Sequence, residues 1–324
     1  MNMVKSVGRD LPPFSLLMAV YEGDSVAYLR RALLSNTLEQ SRVPAQLVVV
    51  RDGPVPAALE SFLGDVPTLL LARFAEAGKA AQTPTINIVR LPRNGGLAHA
   101  LNKGLAVCRY DLVARADSDD VAVPSRFAAL LPMIDGSHTP VCDVIGSAIR
   151  EFSGDERRPG QIRRLPEAGE ALQTYARLQS PLHHPSVAFR KSVVLAAGGY
   201  PEHSGRFEDY LLWERLIMRG SRIANLPEPL VLYRVNAGAY ERRGGWSMFR
   251  DELALQRQFH ADGFTTTVQF LRNVMVRAVY RLLPRSIRQA GYRLLTAVHN
   301  RARPQTPTTH PSSSSSPSPS SPST

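Results

Sequence analysis

The sequence predicts an α/β protein with a mostly parallel central sheet, flanked by helices and followed by a C-terminal helical extension. Three observations lead there. Apolar runs of strand length alternate with segments of helical periodicity between residues 14 and 116. The runs are apolar at consecutive positions, as strands buried on both faces require. Polar and acidic residues stand directly after several of them, at the strand ends where parallel sheets bind ligands.

In chain order, Phe14 to Val20 is the first apolar run, and Ser25 to Ser41 carries helical spacing through Val26, Leu29, Leu33, Leu34 and Leu38. Gln46 to Val50 is a β-branched run that stops at the turn signal Arg51-Asp52-Gly53-Pro54. The stretch from Gly64 to Thr85 is expected as an excursion with a short helix at Ala72 to Ala81. Ile86 to Leu91 is the third strand, Leu97 to Cys108 a helix opened by Gly95-Gly96, and Asp111 to Ala116 the fourth strand. A helix from Val123 to Leu131 follows. The second half is less regular, with strands expected at Val144 to Phe152, Pro185 to Phe189 and Pro229 to Val235, and helices at Ser192 to Ala197 and Asp209 to Arg219, the last stopped by Gly220.

At 324 residues and 44% apolar content the chain is long enough for one large α/β domain and an appendage. Its organisation divides into a polar leader (1–13), a main domain (14–245), a basic amphipathic helical extension (246–303) and a disordered Pro/Ser/Thr tail (304–324). The leader lacks the apolar stretch of a signal peptide, and no run is long enough to span a bilayer. Cys108 and Cys142 have no closely spaced metal-ligand partners, which fits reduced thiols in a cytoplasmic compartment. The formal charge of +11 is concentrated late: no Asp or Glu follows Asp262, while eight arginines lie between Phe270 and Arg303. That pattern fits either an anionic membrane surface or a helix with a solvated basic face. No nucleic-acid-binding motif accompanies it, so nucleic acid is not an expected partner.

The chemistry concentrates in Asp117-Ser118-Asp119-Asp120 after the fourth strand. Three carboxylates in four residues repel one another unless a cation joins them, and a hard ion such as Mg²⁺ or Mn²⁺ prefers carboxylate and phosphate oxygens. The cluster is thus a candidate metal site that also holds a phosphorylated ligand, or else a helix N-cap. Asp52 is another acidic strand end, open as a ligand contact or an Asx-turn with Gly53. His183 and His184 have no third ligand spaced to complete a metal site.

Taken in order, Leu16 to Tyr21, Val48 to Gly53, Asn94-Gly95-Gly96-Leu97-Ala98 with Asn102 and Gly104, the acidic tetrad, His184-Pro185-Ser186, Gly198-Gly199-Tyr200, Phe207 to Trp213 and Tyr233-Arg234 resemble a family 2 glycosyltransferase with the GT-A (Rossmann-like) fold. The look is that of the amylovoran-type exopolysaccharide glycosyltransferases, over about residues 14 to 235. The resemblance implies an inverting, metal-dependent transfer from a nucleotide-sugar, a UDP-sugar by family habit, to a saccharide or polyprenyl-linked saccharide, at the inner face of the cytoplasmic membrane. It assigns Asp119 as metal ligand, Asp117 as ligand or ribose contact, Asp120 as the member best suited to capping, and Asp52 to the uracil. Val20, Tyr21 and Glu22 would line the base pocket, and Gly95 and Gly96 would let the backbone approach the nucleotide. Asp209 becomes the general base with Glu208 beside it, though both also suit the N-terminus of a helix. Trp213 could face an acceptor sugar or the core, His184 could line the acceptor side, and Arg234 could reach a phosphate or make a structural ion pair. A nucleotidyltransferase and a catalytically inactive nucleotide-sugar-binding or membrane-scaffold protein are the alternatives; the first normally has a basic loop where this chain has Tyr21-Glu22-Gly23-Asp24.

Overall fold

The computed structural model describes residues 11–139, 141–202, 205–235 and 246–282. The expected leader lies almost wholly outside these, and the Pro/Ser/Thr tail and the part of the basic extension after residue 282 lie outside them altogether. Among the described residues, β1 (Phe14–Val20), α1 (Val26–Asn36), β2 (Gln46–Arg51), α2 (Ala57–Glu76), β3 (Thr85–Arg90), α3 (Leu97–Val107) and β4 (Leu112–Ala116) follow in strict alternation. Then come β5 (Val121–Ala122), α4 (Arg126–Leu130), α5 (Pro132–Asp135), β6 (Val144–Phe152), β7 (Ile162–Arg163), α6 (Gly169–Ala176), β8 (Ala188–Arg190), α7 (Lys191–Ala196), α8 (Glu208–Met218), β9 (Ile223–Arg234), α9 (Trp246–Ala261) and α10 (Thr267–Leu282).

One sheet joins all nine described strands in the order β3-β2-β1-β4-β8-β6-β9-β5, with β7 added to β6. The first four strands are mutually parallel, whereas β8 runs antiparallel to both β4 and β6. Alternate residues of one strand feed different cores. Leu16, Met18 and Val20 of β1 join Leu47 and Val49 of β2 under α1 and α2, while Leu17, Val48 and Val50 meet α3, α7 and α8 on the other face. That division is the period-two geometry of a strand, and it explains why both positions had to be apolar.

The chain turns back after β3, so β1 and β4 become neighbours and Met18 lies opposite Ala116. This is a topological switch point, where the loops leaving β1 and β4 diverge and open a crevice at the strand carboxyl ends. Val20, Asp52 and the tetrad all stand at that edge, as the sequence predicts.

Four elements differ from expectation. The short helix expected at Ala72 to Ala81 is instead the end of the 20-residue α2, whose Leu59, Phe62, Leu63, Val66, Leu70 and Phe74 form one buried stripe around Pro67. Burial of that stripe outweighs the cost of an interior proline. α1 stops at Asn36 because Thr37 Oγ1 and Gln40 Nε2 donate to the carbonyls of Leu33 and Ser35 and replace the next helical turn. The helix expected from Val123 starts later, at Arg126, because Val121 and Ala122 pair antiparallel with Leu232 and Val231. β9 is longer than expected, and its register against β6 shifts where Pro227 and Pro229 lack a donor. No described helix is long and apolar enough to cross a membrane.

Gly53 has φ of +80°, and a Cβ there would lie 2.5 Å from the backbone nitrogen of Asn94. Gly53→Ala is therefore expected to lower stability by about 1–3 kcal/mol, combining positive-φ strain with a backbone clash. A urea midpoint equal to wild type would contradict this.

Candidate active site

The loop after β4 begins on a buried cation. Arg115 is 2% exposed and its Nη2 donates to Asp117 Oδ1. Burial opposes its charge, but Asp117, Tyr200 and Asp120 outweigh that and hold the guanidinium above its ordinary pKa. Its Nε and Nη1 have no hydrogen-bond acceptor. Arg126, also buried, donates to Asn36 Oδ1 at 2.9 Å and to the carbonyls of Arg115 and Pro185, tying the base of the loop to α1 and to the residues before β8.

Arg234, the last residue of β9, fixes the other end. Its backbone N–H donates to Asp120 Oδ1 at 2.8 Å, and its Nε donates to the carbonyl of Asp119 at 2.8 Å. The guanidinium carbon lies 3.9 Å from the Tyr28 ring centroid and 4.4 Å from that of Phe152. Arg234 is thus a clamp on the acidic loop, which corrects the expectation that it reaches a phosphate. Asp120 is corrected as well. It caps no helix: α4 begins six residues later with Ser125 as N-cap, and Asp120 pairs with β9 instead.

The acidic cluster has a fourth member that the sequence reading left out. Asp24 Oδ2 accepts from the Tyr21 N–H at 2.9 Å, and its carboxyl is raised by burial, with Asp117 adding to the effect. Asp119 is pushed up to about 6 by burial, then by Asp117 and Asp24. Asp120 is raised well above the usual carboxylate range by burial and the same neighbours, and its Oδ2 is buried without a donor. Asp24 follows β1 at the same edge as the tetrad, so the strand-end pattern is the signal that could have found it.

A divalent cation fits this set. The donors are hard oxygens, the Asp120 Oδ2 is buried without a donor, and Asp117 and Asp119 leave most of an octahedral shell to phosphate and water oxygens. Among the described residues no group of three or more acidic, His or Cys side chains is arranged to hold an ion unaided.

Asp52 is buried, and its two oxygens accept from the N–H groups of Gly95 at 2.8 Å and Gly96 at 2.9 Å. It makes no Asx-turn with Gly53; it pins the loop before α3. The two glycines stay exposed for close approach, but their N–H groups are committed to Asp52. Each Asp52 oxygen keeps a lone pair for a further donor. Val20 ends β1 in the core, while Tyr21 and Glu22 beyond it are exposed.

On the α8 side, Glu208 is buried and raised by that burial. Asp209 is partly exposed, and burial followed by Glu208 pushes its carboxyl up to about 7. Asp209 Oδ1 accepts from the Tyr210 N–H at 2.7 Å, but the N-cap position belongs to Phe207 and no side chain caps the helix. Arg115 contributes to the electrostatics of Asp117, Glu208 and Asp209 alike, so both acidic groups share one counter-charge. His184 Nε2 lies 3.0 Å from Tyr200 Oη, and Trp213 packs edge-on to the His184 ring. Burial and Arg115 hold His184 well below its usual pKa. Trp213 is fully buried with no partner for its indole N–H, so the expected sugar-facing platform is a core side chain. His183 lies against the carbonyl of Arg163 at 3.2 Å, away from any paired-histidine metal site.

Removing Arg115 strands these acids. Arg115→Met is expected to cost about 3–5 kcal/mol at neutral pH, read by urea denaturation; an unchanged midpoint would refute the counter-charge role. Asp209 has the opposite signature. Between its ordinary 3.8 and about 7 the folded protein keeps a proton that the unfolded chain has lost, so Asp209 lowers stability as pH rises through that window. Asp209→Asn removes this contribution, and its stability relative to wild type should grow with pH across the window. A pH-independent difference in urea midpoints would exclude it.

Residues 15–195 match the model of the family described as glycosyl transferase family 2. The chain is 32% identical over 283 residues to the UDP-Gal:alpha-D-GlcNAc-diphosphoundecaprenol beta-1,3-galactosyltransferase of Escherichia coli, covering 87% of this chain and 95% of that one. It is 33% identical over 280 residues to the amylovoran biosynthesis glycosyltransferase AmsE of Erwinia amylovora, covering 86% and 97%. Among solved structures, S. aureus TarS 1-349 in complex with UDP-GlcNAc superimposes with a TM-score of 0.56 at 17% identity, over 82% of this chain and 72% of that one. The mannosyltransferase PcManGT from Pyrobaculum calidifontis, in complex with GDP-Man and Mn2+, gives 0.54 at 17% identity, over 91% and 76%. The structural likeness supports the same curled, mostly parallel fold, and the sequence matches span most of the chain: it belongs to glycosyl transferase family 2.

Proposed function

We propose that the protein is an inverting, metal-dependent glycosyltransferase that moves a sugar from a UDP-sugar to a polyprenyl-linked saccharide in bacterial cell-surface polysaccharide synthesis. The observation that carries the reading is Asp209, a partly exposed carboxyl pushed up to about 7 whose charge environment is shared, through Arg115, with the acidic loop. A base poised near neutral pH beside an anion-handling site is what sugar transfer needs. The E. coli relative is named for a UDP-Gal donor and a diphosphoundecaprenol-linked acceptor, and TarS was solved with UDP-GlcNAc and with UDP. These names support the donor and acceptor classes, and the lipid-linked acceptor supports a place at the cytoplasmic membrane face.

In this mechanism Asp52 receives the base while holding the Gly95–Gly96 loop, and Val20 and Tyr21 border the same pocket. Asp117 and Asp119 would hold Mg²⁺ or Mn²⁺, which supplies positive charge to the departing diphosphate when bound. Asp209 takes the proton of the acceptor hydroxyl as its oxygen bonds to the anomeric carbon. The bond from that carbon to the diphosphate oxygen breaks on the opposite side, and UDP leaves. A single in-line displacement inverts the anomeric centre. Burial, and after it like-charge repulsion from Glu208, keeps the Asp209 carboxyl basic, and Arg115 supplies a counter-charge to both acids.

Asp209→Asn should lower the rate constant for transfer at least about 100-fold while the urea midpoint at neutral pH does not fall. Asp119→Ala should abolish the Mn²⁺-dependent gain in UDP affinity seen by calorimetry. In the wild type, transfer should rise with pH and level off above about 7 as Asp209 loses its proton. Full transfer activity in purified Asp209→Asn would remove the assigned base.

A further inference from the structure

α10 is built with its polarity inverted. The side facing the protein is held by polar groups: Asn273 is fully buried and its Nδ2 donates to the carbonyl of Arg177 at 2.7 Å and to Gln256 Oε1 at 2.8 Å. Arg277 donates through Nη2 to the carbonyl of Leu178 and approaches Glu252 at 3.8 Å. The side facing away carries Val268, Leu271, Met275, Val276 and Val279, each between 53% and 76% exposed. At about 100° per residue these five span an arc of about 140° on one face of the helix. An ordinary surface helix buries such an arc and exposes the polar one, and a contiguous apolar face left in water marks an interaction surface.

Its chemistry selects the partner. The exposed Arg272 lies within the apolar arc, and α10 contains no Asp or Glu. From Gly263 to Thr324 the sequence has eight arginines and no acidic residue. A protein core would desolvate Arg272 without a counter-ion, whereas the headgroup boundary of an anionic bilayer accepts apolar side chains and arginines side by side. We propose that the outward face of α10 docks on the surface of a bilayer containing anionic lipid, lying in its plane. The inference rests on the lipid-linked acceptor proposed above for its purpose, and on α10 alone for its geometry.

The experiment is flotation of the full-length protein with phosphatidylethanolamine/phosphatidylglycerol vesicles and with phosphatidylcholine vesicles. The wild type should float with the anionic vesicles, and the double variant Leu271→Asp/Met275→Asp should lose about tenfold in bound fraction. UDP binding by calorimetry should be the same in both, so a failed donor reading and a failed membrane reading are separable. Absence of wild-type flotation overturns the proposal. Equal flotation of the double variant assigns binding to the arginine-rich segment alone and also overturns it. So does light scattering that shows a wild-type dimer which the double variant converts to monomer, because the face would then be covered by a second copy.

Discussion

Arg115 enters the core as the penultimate residue of β4, and its guanidinium lies under carboxylates from two different parts of the chain. Asp117 pairs with it directly, while Glu208 and Asp209 feel its charge from α8. Burying a guanidinium is expensive, and this one is kept charged by the acids it serves. The dependence is mutual: without that cation the acids would have to be neutral or apart. The position of Arg115 on a central, fully buried strand makes the arrangement rigid, and rigidity is what a site for charge redistribution requires.

Around that centre the remaining contacts fix loops more than they present groups to solvent. Arg234 takes hold of the backbone at Asp119 and the carboxylate of Asp120, and is itself sandwiched between Tyr28 and Phe152. Asp52 does the equivalent for the loop before α3. Polar residues at a strand edge are thus divided between those that shape the crevice and those left to meet a ligand. Asp119, Asp209, Tyr21 and Glu22 belong to the second group by exposure.

The first four strands, their parallel arrangement and the common edge for Val20, Asp52 and the tetrad were legible in the sequence, because consecutive apolar residues and strand-end acids are local signals. Arg115 was not, although it stands in plain view within an apolar run. Only the fold reveals that Glu208 and Asp209, nearly a hundred residues away, share its field. The same non-local information decided Trp213, whose spacing from Asp209 on α8 suits either a sugar or the core. It decided Arg234 too, whose partners come from the loop after β4, from α1 and from β6. α2 was missed for a different reason: Pro67 interrupts the sequence pattern, but the buried stripe on either side continues through it.

α3 begins at the glycines that Asp52 holds and, one and a half turns later, presents Asn102, whose side chain accepts from the N–H of Tyr200 at 2.8 Å and donates to its carbonyl at 2.8 Å. Tyr200 in turn meets His184 through its hydroxyl. The loop that Asp52 pins and the region beside Asp209 are therefore mounted on a single helix. For chimeric enzymes this means that the amino-terminal strands and the α8 region are not interchangeable modules. A graft that imports a new Gly95–Gly96 loop without its own Asn102–Tyr200 seam would bring that loop intact and leave the Asp209 region misaligned.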